Sequence, residues 1–340
     1  MKKLMALLLA FSFIFVLSAC GSDEKAGAKE EESKTVSVYS PHQSEIINPI
    51  IKEFQDRTGI KVELVQSGTG ELLSRVAAES KNPGADVFWG GGAESLEAFG
   101  ENFEPYVTKE DAAIPAVFKS ESNLWTGFSA LPMVIMYNEE MVAEGDAPTS
   151  WKALLDEKWK GKIAFTDPNK SGSSYTQLVT MLTAYEDDGS EGWDYVNDFV
   201  GNLDGTILSG SSMVPKGVAD GEFPVGVTLE EAAYRYIAGG AAINVAYPEE
   251  GTSAVPDGVA LIKGAKNVEN AQEFIDFLVS KDVQEMIVKD FSRRAVRDDV
   301  APPEGLTKFE DIPLVEYDFE ASSSNKEEIM DKFHKIMISQ

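Results

Sequence analysis

The chain has 340 residues, with 57 acidic side chains against 30 Lys and Arg, two His (His42 and His334) and a single Cys, Cys20. One Cys excludes an internal disulfide and any multi-Cys zinc or iron–sulfur site, and two His exclude a His-rich metal centre. A formal charge of −27 argues against nucleic acid or an anionic membrane surface as a partner, while 43% hydrophobic residues is too many for wholesale disorder and the length suits about two domains.

Met1-Lys2-Lys3 is a short basic start, followed by an apolar run from Leu4 to Leu17 and then Ser18-Ala19-Cys20-Gly21. The run is too short to span a bilayer comfortably and has the length of a signal-peptide core, which makes residues 1–19 a signal peptide. The only Cys follows small residues at the end of that core. This resembles the lipobox of bacterial lipoproteins, and the resemblance implies cleavage before Cys20 and lipid attachment to it. Residues 20–34 hold no aromatic or branched apolar side chain, so they read as a flexible tether.

The body then alternates strands and helices. Thr35–Ser40 alternates as a strand, and Gln43–Arg57 places Ile46, Ile47, Ile50, Ile51 and Phe54 on one helical face. Pro49 marks a first turn or a kink, and Gly59 stops the helix. Lys61–Gln66 is a strand, Glu71–Ser80 a helix and Ala85–Trp89 a strand. This β-α-β-α-β order predicts a parallel sheet. A second series has strands at Lys162–Thr166, Pro224–Thr228, Ala242–Tyr247 and Val259–Lys263. Its helices are Tyr175–Tyr185, Trp193–Val200, Glu230–Ala238 and a C-terminal pattern from Ala271 through Leu278 that continues over Val283–Val288. Two α/β lobes are expected. Their boundaries are 35–133 with 250–340 for lobe 1 and 134–249 for lobe 2, with Phe128–Tyr137 and Ala242–Tyr247 as crossing strands.

Ligands of open α/β sheets collect at the carboxyl ends of strands. Five loops rich in Gly and hydroxyls fall there: Ser40-Pro41-His42, Ser67-Gly68-Thr69-Gly70, Trp89-Gly90-Gly91-Gly92, Ser171-Gly172-Ser173-Ser174 and Thr228-Leu229-Glu230-Glu231. Gly admits close backbone approach, Ser and Thr cap helices, and a helix N-terminus attracts anions. Taken singly each has a plainer reading: a turn with an N-cap, a core position for Trp89, a solvated imidazole for His42, dipole-favoured charges for Glu230 and Glu231. Their convergence in both lobes favours a binding site. There is no G-x-S-x-G elbow, no G-x-x-x-x-G-K-[ST] loop and no H-E-x-x-H, so binding is favoured over catalysis and no cofactor is called for.

Several segments together resemble a known family. Val38-Tyr39-Ser40-Pro41-His42, Thr58-Gly59-Ile60-Lys61-Val62, Gly68-Thr69-Gly70-Glu71-Leu72, Ala85-Asp86-Val87-Phe88-Trp89, Trp159-Lys160-Gly161-Lys162-Ile163, Ser171-Gly172-Ser173 and Tyr247-Pro248-Glu249-Glu250-Gly251-Thr252 stand in the order expected. The chain resembles the solute-binding lipoproteins of bacterial ATP-binding-cassette importers, in the branch that holds iron(III)- and hexose-phosphate-binding proteins. The resemblance implies a two-lobed type-2 periplasmic-binding-protein fold with a ligand cleft between lobes that close like a hinge. It also implies an extracytoplasmic, lipid-anchored monomer whose partners are a small anionic solute and a permease.

In the iron(III) members of that branch a Tyr pair of the second lobe binds metal. Here Tyr234 and Tyr236 are the alternative metal ligands, but they are not adjacent and the corresponding loop carries Glu230 and Glu231. In the hexose-phosphate members, acidic residues of the second lobe and of the Pro-Glu-Glu-Gly segment take sugar hydroxyls. Glu230 and Glu249 or Glu250 match those places, while Leu229 replaces the accompanying His. The same carboxylates suit the amine of an aminoalkylphosphonate. The expectation is therefore a phosphorylated or phosphonate organic anion. Ser67, Gly68, Thr69, Ser171, Gly172, Ser173 and Ser174 hold its anionic head. Ser40, His42, Trp89, Gly90 and Gly91 form the first-lobe wall, and Thr228, Glu230, Glu231, Glu249 and Glu250 lie at the other end. Arg293, Arg294 and Arg297, the tight basic cluster, are expected on the surface or against the permease, with ligand contact as the alternative.

Overall fold

The computed structural model describes residues 34–143, 145–186, 190 and 192–340; Cys20, the expected signal peptide and the expected tether up to residue 33 lie outside them. In chain order the strands and α-helices are β1 (Thr35–Ser40), α1 (Ser44–Thr58), β2 (Lys61–Gln66), α2 (Thr69–Ala78), β3 (Val87–Gly92), α3 (Ala93–Ala98), β4 (Phe103–Glu104), β5 (Thr126–Asn138) and β6 (Ile163–Ala164). They continue with α4 (Gly172–Ala184), α5 (Trp193–Leu203), α6 (Met213–Ala219), β7 (Val225–Leu229), α7 (Glu230–Ala238), β8 (Ile243–Ala246) and β9 (Ala254–Ile262). Last come α8 (Val268–Leu278), α9 (Lys281–Phe291), β10 (Arg294–Ala295), α10 (Phe319–Ser324) and α11 (Lys326–Ser339).

Local chemistry explains most boundaries. α1 buries Ile46, Ile47, Ile50 and Phe54 and ends at Gly59, whose φ of 71° lets its N–H reach Gln55 O. Pro49 falls inside this helix, past its first turn. α2 and α4 begin two and three residues before the apolar pattern does, because their first turns are the polar loop residues themselves. The pattern expected to run on past Leu278 is broken at Val279–Ser280 into two helices, α8 and α9.

The sheet follows the order β2-β1-β3-β9-β5-β7-β6. β1 pairs in parallel with β2 and β3, as the β-α-β-α-β order predicts, but β9 runs antiparallel to β3 and to β5. The sheet is therefore mixed. β5 joins its two sections: Thr126–Pro132 pair with β9, and Met133–Asn138 pair with β7 and β8. The hydrogen-bonded path is continuous because this one strand belongs to both sections. The chain is a two-lobed α/β protein whose strands curl around the junction at β5.

Each section has its own core. Val36, Val38, Phe54, Trp89, Phe128 and Phe274 centre the first, and Trp151, Phe165, Leu178, Phe199 and Val227 centre the second. The C-terminal helix α11 puts Phe333 into the second of these cores, at about 1.5–3 kcal/mol for a fully buried Phe. α10 packs instead on α3 of the first section. No helix among the described residues is long and apolar enough to cross a membrane.

Candidate ligand site

Where the two sections face each other, the strand-end loops enclose a cavity of about 380 Å³. His42, Ser67, Gly68, Thr69, Gly91, Ser171, Gly172, Ser173 and Glu231 of the predicted site line it. Gln43, Gln66, Lys170, Thr176, Ser209, Ser211, Ser212, Asp257 and Arg293 line it as well.

Four helix N-termini reach the cavity, those of α2 and α4 at one end and those of α1 and α7 beside the charged cluster at the other. Gln43 and Ile46 belong to the start of α1, Gly68 and Thr69 to α2, Ser171–Ser173 to α4 and Leu229 with Glu231 to α7. First-turn N–H groups have no intrahelical acceptor and carry the positive end of the helix dipole. No N-cap side chain bonds the first turn of α1, α2 or α7, although at α1 the Ile46 N–H is already taken by Gln43 O at 3.0 Å. At α4, Ser171 Oγ accepts from Ser174 N at 3.3 Å and lies 2.9 Å from Ser173 Oγ. Ser67 gives its hydroxyl proton to Glu71. The loops of α2 and α4 touch. A Cβ at Gly68 would stand 2.8 Å from Lys170 O, and one at Gly172 would stand 2.9 Å from Thr69 Oγ1. Only glycine permits that approach.

The other end is a buried ion-pair cluster. Asp257 Oδ1 accepts from Ser129 N at 2.8 Å and Ser129 Oγ at 2.7 Å. Asp257 Oδ2 accepts from Arg293 Nη1 at 2.8 Å and lies 3.1 Å from His42 Nε2. Arg293 Nη2 donates to Glu231 Oε1 at 3.1 Å, and Glu231 Oε2 lies 3.3 Å from Arg235 Nε. Arg235 Nη1 in turn donates to Gln43 Oε1 at 2.7 Å, across to α1. Burial opposes the Asp257 charge, but Arg293, His42 and Ser129 hold its pKa down to about 2. Burial pushes the His42 imidazole below its ordinary value, and Asp257 offsets only part of this, which favours the uncharged ring. The two carboxylates are matched by two guanidinium groups, and this end carries no net charge.

The remaining predicted residues stand outside the cavity wall. Ser40 is buried and donates to Trp89 O at 2.6 Å, and Trp89 packs edge-on to Phe128 in the core, behind the wall rather than on it. Gly90, at φ 117°, makes room for His42: a Cβ there would stand 2.9 Å from Nε2. Ser174 and Thr228 are buried within α4 and β7. Glu230 is held by Arg294 through two hydrogen bonds of 2.7 and 2.8 Å and by the Tyr247 hydroxyl. Glu249 accepts from Thr149 at 2.8 Å on the surface. Glu250 accepts from the N–H groups of Trp151 and Lys152 and from Tyr185, and so organises the loop before β6. Tyr234 and Tyr236 are half-buried on α7 and do not line the cavity. The basic cluster, expected on the surface, is buried: Arg293 and Arg294 pair with Glu231 and Glu230, and Arg297 pairs with Glu110 and Asp299. Asp257 and Arg293 carry no local motif. Their one signal is an Asp in an apolar alternating stretch and an Arg pair in an acidic chain.

Residues 49–313 match the model of a family described as bacterial extracellular solute-binding protein. The chain belongs to this family. It is a solute-binding protein and not an enzyme. It is 28% identical over 292 residues to iron uptake protein A1 of Synechocystis, covering 81% of this chain and 79% of that one. It is 29% identical over 269 residues to a putative 2-aminoethylphosphonate-binding periplasmic protein of Salmonella typhimurium, covering 73% of each. The structure of the periplasmic binding protein AfuA from Actinobacillus pleuropneumoniae, with exogenous fructose-6-phosphate bound, superposes with a TM-score of 0.84. The two are 25% identical, over 90% of this chain and 99% of that one.

Proposed function

We propose that the chain is an extracytoplasmic lipoprotein of an ATP-binding-cassette importer that captures a small phosphorylated or phosphonate organic anion and delivers it to the permease. The observation that carries this is the convergence of the N-termini of α1, α2, α4 and α7 on one cavity, with the α2 and α4 loops meeting at Gly68 and Gly172. Open N–H groups and hydroxyls from both sections suit a tetrahedral oxyanion held between them. The cluster at Asp257, Arg293 and Glu231 suits a polar tail, either hydroxyls or an amine. The chain's overall negative charge does not oppose this, because charges beyond about 8 Å are screened at physiological salt. Lobe 1 is residues 35–133 with 250–340 and lobe 2 is 134–249, with α11 reaching from lobe 1 onto the lobe 2 core. Closure brings the α2 and α4 loops together over the solute. Cys20 carries the lipid that keeps the monomer at the membrane.

Iron(III) is the second reading, favoured by relatives named for iron uptake. The cavity supports it less. Among the described residues no group of three or more His, Cys, Asp and Glu could hold a metal ion, and Asp257 and Glu231 are already matched by guanidinium groups. Native mass spectrometry of the purified chain, with a thermal-shift panel, decides between them. A phosphorus-bearing mass, or stabilisation by fructose 6-phosphate or 2-aminoethylphosphonate that is left chemically unchanged, supports the oxyanion reading. Stabilisation by ferric citrate alone overturns it.

A further inference from the structure

Behind the cavity wall lies a carboxylate that the binding reading does not use. Glu94, in the first turn of α3, is fully buried. Its side chain folds back over Gly92, a wall residue: a Cβ at Gly92 would stand 2.5 Å from Oε2 and 2.6 Å from Oε1, so the glycine makes the space this carboxylate occupies. Oε1 accepts from Thr176 Oγ1 at 2.5 Å, joining the first section to α4 of the second. Oε2 is buried and has no hydrogen-bond partner among the described residues. Three titratable groups face the site. Lys326 of α11 turns its Nζ to Ser95 Oγ at 2.8 Å and over the Tyr175 ring at 3.8 Å. Tyr175 of α4 donates to Ser322 O, and Tyr317, half-buried with its hydroxyl turned inward, stands before α10.

Thr176 lines the cavity, and its hydroxyl has two acceptors, Glu94 Oε1 at 2.5 Å and Gly172 O at 3.1 Å; the shorter bond to Glu94 draws the proton and leaves lone pairs on the oxygen for the solute. A buried carboxylate with one bare oxygen is expensive to hold ionised. Burial accordingly raises the Glu94 carboxyl above its ordinary range, with Lys326 and Thr176 offsetting only part, and lowers the Lys326 amine to about 8. We propose that Glu94 is a positioning residue that makes solute capture proton-linked: it sets the hydrogen-bond polarity of the wall through Thr176, and solute is held more tightly when Glu94 carries a proton. The cross-section contact supplies the coupling. Because Oε1 is bonded to Thr176 of the other section, any motion that separates the sections also changes the surroundings of Glu94.

The test compares the full chain with Glu94→Gln between pH 4.5 and 7, and repeats the pair on a Lys326→Met background, because Glu94 itself holds up the Lys326 amine and its loss would move that titration as well. The probes are fructose 6-phosphate and 2-aminoethylphosphonate. His42 and the probes' own phosphate titrate equally in both proteins, so the readout is the ratio of their Kd values. That ratio is expected near one at pH 4.5, with Glu94→Gln binding severalfold tighter at pH 7. Thr176→Val removes the dependence on Glu94, and Thr176→Ser keeps it. A ratio that does not change with pH overturns the proposal. The binding arm rests on the oxyanion reading; a second arm does not. For an acid with a raised folded pKa, stability is present in full below the unfolded value and is lost as pH rises through the folded one. The ligand-free unfolding midpoint of Glu94→Gln is therefore expected to match the wild type at pH 4.5 and exceed it at pH 7. If neither probe binds, the proposed function fails while this arm still decides the proton. A midpoint lower than wild type at pH 7, as a simple Glu94–Lys326 ion pair requires, overturns the proposal.

Discussion

The two ends of the cavity solve the problem of holding a polar solute in opposite ways. At the α2–α4 end, donors come mainly from backbone and hydroxyls, with Lys170 beside them, and they face the cavity. At the Asp257–Arg293 end, formal charges are buried and almost wholly spent on each other. The first arrangement is available to a ligand without rearrangement. The second gives a stiff neutral wall, because pulling one charge away leaves another buried and unpaired. The comparison teaches that an acidic protein can present converging helix ends to a cavity while its buried guanidinium groups are already spent on carboxylates.

If that division is right, the ends respond differently to substitution. Arg293→Met removes the partner of both Asp257 and Glu231 and is expected to cost about 3–5 kcal/mol of folding stability, read by urea denaturation. A cost under about 1 kcal/mol would mean the cluster is not structural. Asp257→Asn is expected to cost about 2–3 kcal/mol at pH 7. The Asp257 pKa is lowered from 3.8 to about 2, so its contribution is complete above the ordinary value and fades as pH falls toward 2. The variant should therefore lose that part of the acid dependence between pH 4 and 2, and an unchanged acid limb would contradict the assignment.

At the helix-end side the expected effect moves from stability to binding. Thr69→Ala or Ser173→Ala should weaken solute binding about ten- to a hundredfold, the worth of a hydrogen bond to a charged group, with little change in unfolding midpoint. Equal losses of stability and binding would erase the difference between the ends. The smallest effect belongs to Glu249, which points to Thr149 and not to the cavity. Glu249→Ala should change stability by less than about 0.5 kcal/mol and leave the Kd unchanged. A binding loss there would return the Pro-Glu-Glu-Gly segment to the ligand site.

The same contrast explains what the sequence made legible. The helix-end site is written in contiguous motifs, so Ser67-Gly68-Thr69 and Ser171-Gly172-Ser173 were readable from turn and cap chemistry, as were β1, β2 and α7. The charged end is assembled from β5, β9, α7 and the residue before β10, which are separated by 128 positions between Ser129 and Asp257 alone. No local pattern marks such a site. Glu230 and Glu231 are adjacent in sequence, yet helical geometry at the start of α7 gives one to Arg294 and the other to the cavity. Trp89 was ambiguous for a related reason: a strand-end aromatic faces either the core or the cleft, and the packing of Phe128 and Phe274 decides for the core. α11 escaped because its apolar face fits a core more than a hundred residues earlier in the chain.

The central claim is that an oxyanion is held where α2 meets α4. Phosphorus-31 NMR of 2-aminoethylphosphonate and fructose 6-phosphate, titrated with the full chain and with Gly172→Ala, tests it most directly. The account predicts that one of these resonances shifts or broadens to saturation at one equivalent, and that the response disappears in Gly172→Ala, whose Cβ would collide with Thr69. Unperturbed phosphorus resonances, together with a phenolate-to-iron colour at one equivalent of ferric citrate, would contradict it.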